Sequence, residues 1–207
     1  MDTVEISKNL NDFNDNGCCL VENIISEDCR KYLVNLLALD EIEQRDYQEH
    51  QVKGSEELYN TRSLLLINQI LTDKIKNCIK TENLYATYAF YRKYFENQEL
   101  IKHTDRPECE ISVTICLASS KEEKEWPIYL ENKKQQVIYK GNTEPGCGVI
   151  YKGCELTHWR EKCEHKWVKQ FFSHYSTNKM LEFDNANGQR NDKILLCNLI
   201  KTITENL

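Results

Sequence analysis

The chemistry in this sequence concentrates in three residues, His103, Asp105 and His158. His103-Thr104-Asp105 sets an imidazole and a carboxylate two positions apart. On a strand, residues i and i+2 project to the same face, so both can converge on one ion. His158 follows far along the chain, after the glycine-punctuated stretch GCGVIYKG, as a third donor. Two histidines and one carboxylate leave three positions of an octahedral ion open, which suits Fe(II) sites that bind a chelating cosubstrate together with dioxygen. A closed structural zinc site would instead fill its positions with protein atoms. Cys147, Cys154, His158 and Cys163 have the residue types for one, although no C-x-x-C knuckle is present. The bland alternative is an ordinary surface His and Asp beside the Arg106-Pro107 turn.

These residues need strands to position them, and the sequence supplies strands from Leu84 onward. LYATYAFYRKYF is rich enough in β-favouring aromatics to read as one long strand. Ile111, Val113, Ile115 and Leu117 alternate with Glu110, Ser112, Thr114 and Cys116, the period of two expected of a strand. Pro127 to Leu130 and Gln135 to Tyr139 read as short strands around the Asn132 turn, and KWVKQFFSHY as another. Ahead of them, Ser26 followed by Glu27 and Asp28 is a helix start, with Leu33, Leu36 and Leu37 on one face. Ile67, Ile70, Leu71, Ile75, Cys78 and Ile79 form the stripe of a second helix. Residues 44–60 read as a polar mobile loop, Asn178 to Asp192 as turn-rich, and KILLCNLIKTI as a terminal helix. The expectation is a mainly β jelly-roll in a single domain over 1–207, with helical support over 20–80, a core over about 84–177 and a C-terminal helix over about 193–205.

YRKYFENQELIKHTDRPECEISVTICL and GCGVIYKGCELTHWRE together resemble the prolyl-4-hydroxylase-like branch of the 2-oxoglutarate/Fe(II)-dependent oxygenases, over approximately Leu84 to Tyr175. The resemblance implies a double-stranded β-helix in which His103, Asp105 and His158 hold iron. It also implies 2-oxoglutarate and O2 as cosubstrates, ascorbate as an accessory reductant, and hydroxylation of a protein or peptide side chain with release of succinate and CO2. A basic residue on the strand after the distal histidine would hold the far carboxylate of 2-oxoglutarate. Lys166-Trp167 matches the family's Lys-Trp pair, but sits two residues closer to the histidine than usual. Parity gives Lys166, Val168, Gln170 and Phe172 one strand face and sends Lys169 to the other. Arg160, two residues past His158, is the alternative, able to fork onto a carboxylate. Tyr94 matches a family tyrosine that donates to the cosubstrate, or else packs as a core aromatic. Trp159 packs either near the metal mouth or simply within the fold. His165 and His174 read as structural or exposed, and His50 carries no chemistry.

Composition narrows the partners. A formal charge of −6 and a pI near 5.5 disfavour a broad nucleic-acid grip. No stretch has the roughly 20 apolar residues of a membrane span, so a soluble, intracellular (cytoplasmic) protein is expected. Its ten cysteines are then expected to be reduced thiols. Residues 44–60 and the charged loop Ser119 to Trp126 are candidate gates over a protein, peptide or small-molecule substrate, or inert solvated loops. Besides the oxygenase, a structural zinc module and a silent jelly-roll that only binds a partner stay open, as does oligomeric state.

Overall fold

In the computed structural model, which describes residues 3–43, 51–121, 124–141 and 144–183, the chain order is α1 (Thr3–Asn16), β1 (Cys18–Val21), α2 (Glu27–Glu43), β2 (Glu56–Tyr59), α3 (Arg62–Ile79), β3 (Tyr85–Phe95), β4 (Leu100–His103), β5 (Ile111–Ser119), β6 (Ile128–Glu131), β7 (Val137–Gly141), β8 (Gly148–Tyr151), β9 (Thr157–Arg160) and β10 (Trp167–Ser176). Short 3-10 turns lie at Pro107–Cys109 and Lys179–Leu181. The strands form a larger antiparallel sheet, β1-β8-β5-β10-β3-β2, and a smaller one, β4-β9-β6-β7. This is the expected jelly-roll.

The two-residue period explains how the sheets are layered. One face of the larger sheet, with Tyr91, Val113, Ile115, Leu117, Phe171 and Tyr175, packs with Leu33 and Leu37 of α2 and Leu64, Leu71 and Ile75 of α3. The alternating polar positions of β5 do not meet water. Ser112, Thr114 and Cys116 are buried on the inner face, where they meet Asp105, Arg160 and other groups from across the barrel. Burial on both faces makes β5 a central strand whose polar side chains need internal partners, and it has them.

The helices hold that sheet by specific polar contacts as well as apolar ones. Cys29 N donates to Ser26 Oγ at 3.4 Å, as the capping reading of α2 requires. Thr61 caps α3, and its own hydroxyl donates to Asp40 Oδ2 at 2.6 Å. Buried Asn68 of α3 donates to Tyr88 O at 3.0 Å and accepts from Ser173 Oγ at 2.6 Å, tying helix to sheet at β3 and β10. Ile70, expected on the buried stripe of this helix, is 50% exposed, because the buried face runs through Leu64, Asn68, Leu71, Thr72 and Ile75 instead.

Three elements depart from the sequence reading. Thr3–Asn16 is helical despite its Asn and Asp content, which is poor in helix formers; buried Phe13 anchors it, and Gly17 at φ +75° ends it. Cys18–Val21 adds an edge strand against β8. Within the expected loop 44–60, Glu56–Tyr59 is a strand on the edge of β3, its polar composition explained by the pairing of Glu57 with Arg92 directly across the ladder. The terminal helix and His50 lie outside the described residues.

Trp159 faces outward on the smaller sheet, stacked on Tyr129 at 5.2 Å with Lys102 Nζ 4.0 Å above its ring, and so does not stand at the metal mouth. Trp159→Ala is therefore expected to cost about 1–2 kcal/mol in urea unfolding, from the lost stack and buried area, with metal affinity unchanged. Among the described residues, no helix is long and apolar enough to cross a membrane.

Candidate metal centre and its cavity

Antiparallel pairing of β4 with β9 sets His103 directly opposite His158. The two rings lie 4.2 Å apart between centroids. In each, Nδ1 meets the backbone carbonyl two residues earlier, Ile101 O at 2.8 Å and Leu156 O at 3.0 Å. A carbonyl can only accept, so Nδ1 carries the proton and both Nε2 atoms are left with a lone pair. Those two atoms face a single carboxylate oxygen, Asp105 Oδ1, at 3.7 Å from His103 and 3.5 Å from His158. The ligand atoms of His103, Asp105 and His158 all fall within 4.8 Å of one another. That donor set, two neutral imidazoles and one carboxylate, fits a divalent iron ion.

Asp105 reaches the site by a different route from the expected strand alternation. β4 ends at His103, and the following turn carries Asp105 inward, held by Asp105 N donating to Gly153 O at 2.9 Å. Ser112 Oγ donates to Asp105 Oδ2 at 2.8 Å, which leaves Oδ1 for the histidines. Burial alone would raise the Asp105 carboxyl. The interactions with His158, His174 and the Ser112 hydroxyl outweigh that and hold it at about 2. Burial, reinforced by His158, lowers the pKa of His103, which keeps its ring neutral.

Gly153 is required by this packing. A Cβ there would stand 2.4 Å from both Asp105 Oδ2 and Cys109 O. Gly153→Ala must displace the carboxylate, and is expected to weaken Co(II) or Fe(II) binding about 10–100-fold, the range for losing support behind a ligand. An unchanged metal titration would show that Asp105 is not held in this way.

The centre opens on a cavity of about 540 Å³. Inward-facing Tyr88, Phe90, Arg92 and Tyr94 of β3 and Phe172 and His174 of β10 form one wall, with Tyr59 from β2 and Gln51 beside them. His174 is therefore a cavity residue: its Nδ1 lies 3.0 Å from Ser112 Oγ and its ring stacks on Tyr88 at 4.4 Å. Tyr94 lines the cavity, edge-on to Trp126 at 4.8 Å, and Arg92 Nη1 donates to its hydroxyl at 3.2 Å.

The basic candidates separate clearly. Lys166, Arg160 and Gln170 all lie outside the lining of the cavity; Lys166 is exposed and ahead of β10, whereas the other two are buried. Lys166 precedes β10, so on that strand the buried inward position is Gln170, while Lys169 lies on the opposite face near Glu41, at 3.8 Å. Arg160 shares the inward face of β9 with His158 and is 1% exposed. It donates from Nη1 to Trp126 O at 2.6 Å and from Nη2 to Thr114 Oγ1 at 3.1 Å. Among the described residues no carboxylate pairs with it. Its Nε and the Nε2 of Gln170, 0% exposed, are buried donors with no acceptor. Burial lowers the Arg160 pKa, yet a guanidinium stays charged at neutral pH. Arg160 is thus a buried cation beside orphaned donors, behind Tyr94 and Tyr151 of the cavity wall, a donor set whose chemistry suits an anion.

Other sequence candidates do not assemble. Among the described residues the groups able to hold a metal are the His103 set and a neighbouring set of Asp105, Cys109 and His174; Cys147, Cys154, His158 and Cys163 do not come together. The described cysteines are free thiols. Arg92 carried a legible signal, a charge on the same strand face as Tyr94. Gln51 carried none, because only the tertiary path of its segment brings it to the cavity.

Comparison with known proteins places this architecture. No protein-family model and no curated protein sequence matches the chain. Solved structures do. A prolyl-4-hydroxylase from Pseudomonas putida superposes with a TM-score of 0.62 at 12% identity, over 83% of this chain and 98% of that one. A 2OG-Fe(II) oxygenase family oxidoreductase from Burkholderia pseudomallei gives 0.68 at 12% identity, over 86% and 92%. A Trichoplax adhaerens prolyl hydroxylase, solved with a hypoxia inducible factor oxygen degradation domain peptide, gives 0.59 at 14% identity, over 84% and 94%. The chain has the double-stranded β-helix fold of these oxygenases.

Proposed function

We propose that this protein is an Fe(II)- and 2-oxoglutarate-dependent oxygenase that hydroxylates a protein or peptide side chain. The observation that carries the reading is the convergence of two imidazole Nε2 atoms and one Asp105 oxygen beside a cavity. His103, Asp105 and His158 would hold the iron. Arg160, with the amide of Gln170, would hold the distal carboxylate of 2-oxoglutarate in place of Lys166, which would give Arg160 Nε and Gln170 Nε2 the acceptor that they lack. Iron bound with 2-oxoglutarate supplies the activation of O2, with succinate and CO2 as coproducts. Ascorbate enters as the reductant that keeps the metal ferrous.

The chain's own groups position and enclose. Asp105 stays ionised because of its hydrogen bonds, and the carbonyls of Ile101 and Leu156 fix the imidazole tautomers. Tyr94, steadied by Arg92, would present its hydroxyl to the cosubstrate. Tyr59, Tyr88, Phe90 and Phe172 give the substrate a largely aromatic wall, and Arg92 there is already neutralised by Glu57 at 2.8 Å. Flat aromatic faces with little net charge suit a neutral ring such as a prolyl side chain. The Trichoplax adhaerens neighbour, solved with a peptide, supports a peptide substrate.

The test is incubation of the protein with Fe(II), 2-oxoglutarate, O2, ascorbate and a panel of prolyl and lysyl peptides. Substrate-stimulated succinate release with gain of one oxygen atom on a peptide is expected. Stimulation by free amino acids or nucleosides alone would overturn the peptide assignment and leave the oxygenase standing.

A further inference from the structure

Three side chains form a chain that ends on the metal-facing nitrogen of His103. Glu57 Oε1 accepts from Arg92 Nε at 2.8 Å, with both groups nearly fully buried. Arg92 Nη1 donates to Gln51 Oε1 at 3.1 Å. A guanidinium has no acceptor, so the Gln51 oxygen must be the atom turned toward Arg92 and its NH2 the atom turned away. That NH2 lies 3.2 Å from His103 Nε2.

Although the Gln51 side chain is exposed, the segment that carries it is fastened. Val52 is buried with Phe90, Tyr94 and Leu100. Gln98 Nε2 donates to Lys53 O at 3.0 Å, Ser55 Oγ donates to Val52 O at 2.9 Å, and Gly54 makes the bend at φ +83°. Ligand atoms at adjacent positions of an ion with bonds of about 2.1 Å are roughly 3 Å apart. The Gln51 amide therefore stands beside the metal-facing atom of His103, in hydrogen-bond contact with it and within reach of an oxygen that a bound metal would bring next to that atom. An NH2 oriented by Arg92 has no lone pair to give a metal, but it has hydrogens to give to an oxygen.

Resting on the oxygenase reading above, we propose that Gln51 is a cosubstrate-positioning residue: its amide N–H, aimed by the Glu57–Arg92 pair, donates to an oxygen of the 2-oxoglutarate chelate beside His103. The residues 51–55 thereby contribute to loading the site as well as covering it. Arg92 then serves two purposes from one buried position, steadying Tyr94 and orienting Gln51.

The experiment is an anaerobic titration of wild type, Gln51→Leu and Gln51→Glu, first with Co(II) read by its absorption, then with Fe(II) and 2-oxoglutarate read by the visible band of the chelate. Gln51→Leu is expected to bind Co(II) as wild type does, to need about tenfold more 2-oxoglutarate, and to shift the band, one hydrogen bond to a charged group being lost. Gln51→Glu replaces the donor with a carboxylate, and is expected to bind Co(II) more tightly and 2-oxoglutarate more weakly than Gln51→Leu. A structural role alone would leave the band position unmoved. Wild-type affinity and an unshifted band in both variants would overturn the Gln51 assignment and spare the oxygenase reading. A wild-type protein that binds Co(II) but shows no band with 2-oxoglutarate would overturn the oxygenase reading, and Gln51 with it.

Discussion

Arg160→Met is expected to weaken 2-oxoglutarate binding by about 10²–10³-fold, since leaving one charge of a buried ion pair without its partner costs about 3–5 kcal/mol. The fold should barely notice. In the protein without cosubstrate this guanidinium is a buried cation with no carboxylate, a state that Met removes at similar length. Against that gain stand the lost bonds to Trp126 O and Thr114 Oγ1, each worth about 1 kcal/mol. Stability by urea unfolding is therefore expected to change by less than about 2 kcal/mol in either direction. Lys166→Ala, at an exposed position, should leave both quantities at wild type. Reversal of the two phenotypes in isothermal titration would return the carboxylate to Lys166.

His158→Ala is expected to abolish Fe(II) binding and to lower turnover by about 10³-fold or more, several kcal/mol of metal-supplied stabilisation being lost with the ion. His158 is 2% exposed and faces the shared Asp105 oxygen, so no neighbouring solvent-borne group can take its place. The adjacent Trp159→Ala serves as the control, because that ring lies on the other face of β9. Acid should act through the imidazoles and not through the carboxylate. Asp105, held at about 2, remains ionised well below neutrality, whereas protonation of His103 competes with the metal as pH falls. Burial lowers the His103 pKa, which moves that loss of metal below the range of a free imidazole. Metal content measured against pH would contradict this if it fell only near pH 2.

Much of the β framework was legible because its strands are long and rich in aromatic or β-branched residues. Tyr85–Phe95, Ile111–Ser119 and Trp167–Ser176 all have inner and outer faces that the period of two assigns without a structure. The three residues of the candidate metal site were legible from their types. The geometry that joins them was only half so: the register of β4 against β9 brings His103 to His158, but a turn, and not strand alternation, delivers Asp105. Parity also placed Gln170 inward and Lys169 outward. For Lys166, exposed and one residue outside β10, alternation assigns no face. Thr3–Asn16 and Glu56–Tyr59 escaped notice because tertiary contacts, Phe13 in the core and Glu57 on Arg92, override compositions that are locally unfavourable. Gln51 could not have been found from the sequence, since nothing in a polar stretch tells which residue will meet a histidine fifty positions on.

The most direct test of the central claim is a crystal structure of the protein loaded anaerobically with Mn(II), as a stand-in for Fe(II), and 2-oxoglutarate. The account predicts anomalous density bonded to His103 Nε2, Asp105 Oδ1 and His158 Nε2, with the distal carboxylate of 2-oxoglutarate on Arg160 and Gln170. Metal on the Asp105, Cys109 and His174 set, or a metal-bound protein whose Arg160 stays without an anion at saturating 2-oxoglutarate, would contradict it.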